Sequence, residues 1–166
     1  MNNASILLDQ QRLEALFDSA AAQPAGSQLQ DYLTQHLCVR LSGFIEQSVR
    51  SICYEYARQR GHTNLAAFVS RIIERHYQNL NTERLCQLAG RFSADWEKDL
   101  RSYLTEEHKD AFTSILNNRH KISHGESVPT LGLVRLRRWY EKVVDALQFL
   151  EATASSRSPR TLSVGR

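Results

Sequence analysis

Apolar positions in this chain recur at intervals of three and four residues, the spacing of amphipathic helices rather than of half-buried strands. Ile6, Leu13, Leu16/Phe17 and Ala20 mark a first helix from about Ser5 to Ala22, ended by Pro24-Ala-Gly26. Ser27-x-x-Gln30 then has the form of a capping box. It opens a stripe of Leu29, Leu33, Leu37, Leu41, Phe44, Ser48/Val49, Ile52 and Tyr56, which predicts one helix to about Arg60. A helix of about 33 residues is about 50 Å long, more than a small domain is wide. Part of its stripe is therefore expected to pack on something else, with a second copy of the chain as the candidate.

Gly61-His-Thr-Asn64 interrupts the pattern, and a third helix is expected from about Asn64 to Leu80, with Leu65, Phe68/Val69, Ile72/Ile73, His76 and Leu80 on one side. Shorter helices are expected at Thr82 to Ala89 and Ser93 to Leu104, each opened by a Thr or Ser cap. Thr105-Glu-Glu107 caps a helix carrying Ala111/Phe112, Ile115/Leu116, Arg119 and Ile122, which runs into Gly125, a helix-ending glycine. After Pro129, a last helix from about Thr130 to Ala152 places Leu133, Leu136, Tyr140, Val143, Leu147 and Leu150 on one side. From Thr153 the chain is Ser-rich and carries Arg157, Arg160 and Arg166 with no acid, the composition of a disordered tail. The expected architecture is an all-α bundle of about five to seven helices, one of them long, in a single domain over 1–152 with a basic tail over 153–166.

Composition fits that reading. Pro24 and Pro129 bracket a long stretch without proline, and the chain has 166 residues, enough to bury a core without disulfides or a structural metal. Cys38, Cys53 and Cys86 lie on apolar faces and lack the close pairing of a zinc knuckle, so they read as buried thiols in a reducing compartment. The N-terminus has neither a basic region nor an apolar run of a signal peptide, and no segment has the length of a membrane span. A cytoplasmic protein without a membrane role is expected. Its 21 Lys+Arg against 18 Asp+Glu leave only +3, so a nucleic-acid role must rest on where the charges fall.

They fall at Asn117-Asn-Arg-His-Lys-Ile-Ser-His-Gly125, where Arg119, His120, Lys121 and His124 crowd the end of an apolar helix. Arg supplies a permanent cation with a planar fork for phosphate oxygens, and His exchanges protons near neutral pH. Arg71-Ile-Ile-Glu-Arg-His76 has the same spacing, but it sits inside a helical pattern beside Glu74 and reads as an ordinary amphipathic face. Arg119 differs: a polar residue follows it, Gly follows His124, and regular structure then breaks.

Arg119-His-Lys-Ile-Ser-His124-Gly125 resembles the Arg-x4-6-His motif of HEPN-superfamily ribonucleases, in which Asn, Asp or His usually follows the Arg. It is most similar to the RiboL-PSP type, in which His-Gly ends the motif. The resemblance implies a compact helical domain that dimerises so that two motifs face one cleft. It also implies a metal-independent endoribonuclease acting in toxin-antitoxin, phage-defence or stress systems, with an antitoxin or regulatory protein as a further partner. His120 stands where Asn is commoner.

The chemistry follows from RNA itself. The 2′-OH lies beside each scissile phosphate, so cleavage needs a base for that hydroxyl, an acid for the 5′-oxygen and a cation for the phosphorane charge, and no cofactor. His124 is the expected proton-transfer group, Arg119 the transition-state cation, His120 the orienting group and Lys121 an RNA contact. One motif offers one well-placed His, and a second His124 across a two-fold axis would supply the other. Three other readings stand beside this one. The cluster could be cations favoured by a helix C-terminus. His120 and His124, at i and i+4, could be metal ligands. The domain could be a catalytically silent dimerisation or regulatory module that holds a partner protein or a nucleotide. Glu46 and Arg50, one turn apart, read as a surface ion pair, with Glu46 able to face the cleft. Arg135, Arg137, Arg138 and Lys142 form a weak basic cluster diluted by Glu141 and Asp145, and Trp96, Trp139 and Tyr140 read as core.

Overall fold

The computed structural model describes residues 3–126, 128 and 131–156. Among them run seven helices and no strand: α1 (Ala4–Ala21), α2 (Gln28–Arg60), α3 (Thr63–His76), α4 (Thr82–Phe92), α5 (Ala94–Tyr103), α6 (Glu106–Ser123) and α7 (Leu133–Ser156). None of the seven is long and apolar enough to cross a membrane.

The turn from α1 to α2 is built by the expected cap with one change. Ser27 Oγ accepts from the Gln30 amide at 3.2 Å, but the Gln30 side-chain oxygen takes the N–H of Gly26, at 3.0 Å, rather than that of Ser27. Gln30 Nε2 also donates to the Ala20 carbonyl at 3.2 Å, so a single glutamine ties the end of α1 to the start of α2.

The long helix is the axis of the bundle. α1, α3, α6 and α7 all pack against it, burying Leu37, Leu41, Phe44, Ile45, Val49 and Ile52 among Phe112 and Ile115 of α6 and Leu136, Tyr140 and Leu147 of α7. Four neighbours therefore cover the stripe from Leu33 to Tyr56 within one chain, which leaves only its first residue, Leu29, to meet anything else. Of its large apolar residues only Leu29 and Tyr32, at its N-terminal end, stay more than half exposed, at 53% and 58%. Tyr56 of α2 joins Phe92 and Trp96 in an aromatic cluster that docks α4 and α5, with ring centroids 4.6 Å apart for Tyr56–Trp96 and 5.6 Å for Phe92–Trp96.

α3 departs most from expectation. It ends at His76, four residues before the expected stop, because Tyr77 leaves helical geometry and Asn79 adopts the left-handed region at φ 54°. Leu80 is fully buried nonetheless, carried inward by the loop rather than by the helix. Only Ala66 and Ile73 of α3 are buried, whereas Leu65, Phe68 and Ile72, expected on the packed side, are exposed. The stripe is wide enough to offer two apolar faces, and spacing alone does not say which one meets α2.

α4 is capped by Asn81, whose Oδ1 accepts from the Arg84 amide at 2.9 Å, in place of Thr82, and it runs on to Phe92. At the start of α6 the Thr105 N–H donates to His108 Nδ1 at 3.1 Å. That nitrogen therefore carries a lone pair, and Nε2 holds the hydrogen that it donates to Asp145 Oδ2 of α7 at 2.9 Å. The Tyr103 hydroxyl donates to the other Asp145 oxygen at 2.8 Å. Partial burial pushes the Asp145 pKa up, and the hydrogen bonds from His108 and Tyr103 outweigh it, leaving the carboxyl below its ordinary range. His108 is thus a packed structural histidine. α7 reaches Ser156, so four residues assigned to the tail are helical. The expected helix start at Thr130, and the rest of the tail over 157–166, lie outside the described residues. Trp96 and Tyr140 are core, Trp139 is half-buried, and all three cysteines are buried free thiols.

Candidate active site

The motif helix stops where its glycine lets it. Gly125 sits at φ +73°, and its N–H donates to the Ile122 carbonyl at 3.0 Å while the Glu126 N–H donates to the Lys121 carbonyl at 2.9 Å. This paired closure is a Schellman cap, in which a residue without a Cβ takes the left-handed position after the last helical turn. His124 is the residue it fixes, at φ −96° and ψ 8° with its own N–H on the His120 carbonyl at 3.2 Å.

Two histidines meet there. The His120 and His124 rings lie 4.4 Å apart between centroids and 61° from coplanar, and both residues are exposed, as is Lys121. Arg119, one helical step before His120, is half-buried. The turn that carries it is moored to α2 by Cys38, whose Sγ donates to the Ile115 carbonyl at 3.6 Å. Burial pushes that thiol up to about 12, against an opposing hydrogen bond from the Arg119 backbone.

The guanidinium is held from outside its own helix. Arg119 Nη1 donates to Asn79 Oδ1, 3.2 Å away in the α3–α4 loop, and the Asn79 N–H donates to Glu46 Oε1 of α2 at 2.7 Å. The loop is itself pinned, because the Arg84 guanidinium donates to the His76 and Gln78 carbonyls at 2.7 and 2.6 Å. Glu46 therefore belongs to this network, and Arg50 pairs not with it but with Glu74 of α3 at 2.9 Å. The expected Glu46–Arg50 pair gives way because α3 folds back along α2 and brings Glu74 within reach.

Asn79 is the site residue that sequence reasoning missed. Its signal was faint: two asparagines flank Leu80 between helical patterns, and Asn tolerates left-handed backbone better than most residues. Arg71 and His76, the pair with the same spacing, are both exposed on α3, and the His76 carbonyl is taken up by Arg84. The basic cluster on α7 is partly neutralised, with Lys142 on Glu107 and Arg137 on Glu14. Among the described residues no group of three or more His, Cys, Asp or Glu converges as a metal site, so His120 and His124 offer a cation two nitrogens.

A family model described as RiboL-PSP-HEPN matches residues 5–155, nearly the whole chain, including every helix that frames the motif. The chain belongs to the RiboL-PSP-HEPN family. Neither a curated protein nor a solved structure matches it. HEPN domains are generally ribonuclease-related, and in this one the arginine and histidines of the motif stand together at the end of α6. The HEPN domain here carries a cation anchored through Asn79 and two exposed imidazoles on the last turns of α6.

Proposed function

We propose that this HEPN domain is an endoribonuclease that cuts RNA by 2′-OH transesterification without a metal ion. The supporting observation is the meeting of His120 and His124, 4.4 Å apart, at the end of the helix that carries the anchored Arg119. One histidine removes the 2′-OH proton, the 2′-oxygen attacks phosphorus, the bond to the 5′-oxygen breaks, and a second imidazole protonates that leaving oxygen. His124 is the principal proton-transfer group and His120 orients it or the substrate. Arg119 offsets the charge of the phosphorane, and Lys121 meets a neighbouring phosphate.

In this reading the working unit is a homodimer. His120, Lys121 and His124 stand exposed on one protomer, and a second motif across a two-fold axis closes the face into a cleft. The enzyme acts in the cytoplasm as an effector of a toxin-antitoxin, phage-defence or stress system, restrained by an antitoxin or regulatory protein. The test is a labelled RNA incubated with the protein in EDTA. Cleavage leaving 2′,3′-cyclic phosphate ends, with DNA untouched, is expected. Intact RNA, or cleavage that needs added Mg²⁺ or Zn²⁺ and leaves a 3′-hydroxyl, overturns the proposal.

A further inference from the structure

The outward face of α3 is apolar where none of the described residues covers it. The backbone of α3 approaches only that of α2, and Leu65, Phe68 and Ile72, one above another, are 52%, 61% and 39% exposed. Between this row and α4 runs an open groove of about 590 Å³. Ile73 and Leu88 form a buried floor, and Phe68 and Ile72 make one apolar wall. Among the described residues, those that line the groove include His76, Arg84 and Arg91 and no carboxylate.

We propose that this groove docks a short acidic amphipathic helix from a partner protein. The walls run from Phe68 to His76 and from Arg84 to Phe92, each about 12 Å long, which matches two to three turns of a helix. A helix laid between two others is read by apolar anchors at i, i+3 or i+4 and i+7, the spacing that Phe68, Ile72 and Leu88 can receive. Arg91, and Arg84 while it holds the His76 and Gln78 carbonyls, then select acidic residues flanking those anchors. A second copy of this face is disfavoured, because it would bring together two rims that each carry Arg84 and Arg91 and no carboxylate to pair with them. The residues after Ser156 are disfavoured too, since they hold Arg157, Arg160 and Arg166 and no acid. RNA would satisfy the cations but leave Leu65 and Ile72 in water. The inference does not depend on ribonuclease activity.

The experiment pans a phage library of randomised helical peptides, two to three turns long, on the full chain. Phe68→Ser protein, whose changed side chain is already in solvent, serves for counter-selection after circular dichroism and thermal unfolding show that it is folded. Enriched peptides are expected to carry apolar residues at i, i+3 or i+4 and i+7 and net negative charge. A selected peptide should bind Phe68→Ser about tenfold or more weakly, a loss of about 1.4 kcal/mol. Arg91→Glu should weaken the acidic peptide and favour its Glu→Lys counterpart. Basic or neutral consensus sequences, or equal binding to Phe68→Ser, overturn the proposal. So does a dimer that Phe68→Ser converts to monomer in sedimentation velocity, which makes the face a self-contact. Loss of binding to a non-cleavable 2′-O-methyl RNA on the same substitution also overturns it, by making the face a nucleic-acid surface.

Discussion

Arg119 is held at its guanidinium by Asn79, a residue forty positions earlier in the chain, through a 3.2 Å hydrogen bond between Nη1 and the side-chain oxygen. Asn79 reaches it because its own backbone is left-handed, at φ 54°, and because Glu46 accepts its N–H. The Arg119 side chain is thereby fixed by a loop and a second helix, not only by the helix that carries it.

Replacing Asn79 separates its backbone role from its side-chain role. Asn79→Gly keeps the left-handed conformation and loses only the oxygen, whereas Asn79→Ala loses both and takes on about 1 kcal/mol of strain. Thermal unfolding should therefore rank Asn79→Gly close to the parent and Asn79→Ala below it. RNA cleavage should fall about fivefold in both, the worth of one hydrogen bond of about 1 kcal/mol. Cleavage by Asn79→Gly at the parent rate would mean that Arg119 needs no anchor.

Gly125→Ala tests the cap that sets His124. Nothing crowds a methyl group there, so the cost is conformational, from the φ of +73° alone. A loss of about 1 kcal/mol in stability is expected. Cleavage should fall further than that loss explains at a temperature where the variant stays folded, because His124 shifts with the cap.

Much of this was legible in the chain. The spacing from Leu29 to Tyr56, with Ser27 before it, delimits α2 to within a residue of the observed Gln28–Arg60. The break at Gly125 singles out the motif from Arg71 and His76. What was not legible depends on contacts across the fold. Leu80 prolongs the periodicity of α3 although it is buried from a loop, so the pattern runs past the end of the helix and hides Asn79 inside it. Glu46 and Arg50 satisfy the one-turn rule for an ion pair, yet each finds a partner beyond α2.

Acid should weaken the junction of α5, α6 and α7 through Asp145. Its pKa is depressed on folding, so the stabilisation is present above the ordinary carboxylate value of 3.8 and is lost as pH falls through the lower folded value. The side chain is 47% exposed, so solvent screening keeps the effect under about 1 kcal/mol. Asp145→Asn should be less stable than the parent at pH 7, with the gap closing below about pH 4. Denaturant unfolding of both proteins at several pH values measures it. A gap that stays constant down to pH 3 would show that charge contributes nothing at this junction.

Removing each candidate group ranks the two motifs of equal spacing. Arg119→Ala and His124→Ala should retain helicity, since neither residue is in the core, and lose about 10²- to 10⁴-fold in cleavage rate. His76→Ala should lose far less. Equal damage from His76→Ala in folded protein would transfer the catalytic assignment to α3.

Whether one motif suffices is decided by dilution. Parent protein is mixed with the Arg119→Ala/His124→Ala double variant, and subunits are allowed to exchange to a random distribution. If each motif works alone, activity per total protein falls in proportion to the parent fraction. If cleavage needs both motifs at one two-fold axis, only parent–parent pairs are active and activity falls as the square of that fraction. An equal mixture then keeps about a quarter of the parent rate instead of about a half. The square law is expected, because His120, Lys121 and His124 are exposed to solvent on a single protomer. A linear response, with dimers shown by ultracentrifugation, would mean that the His120–His124 pair of one chain supplies both acid and base, as its 4.4 Å ring separation would then permit.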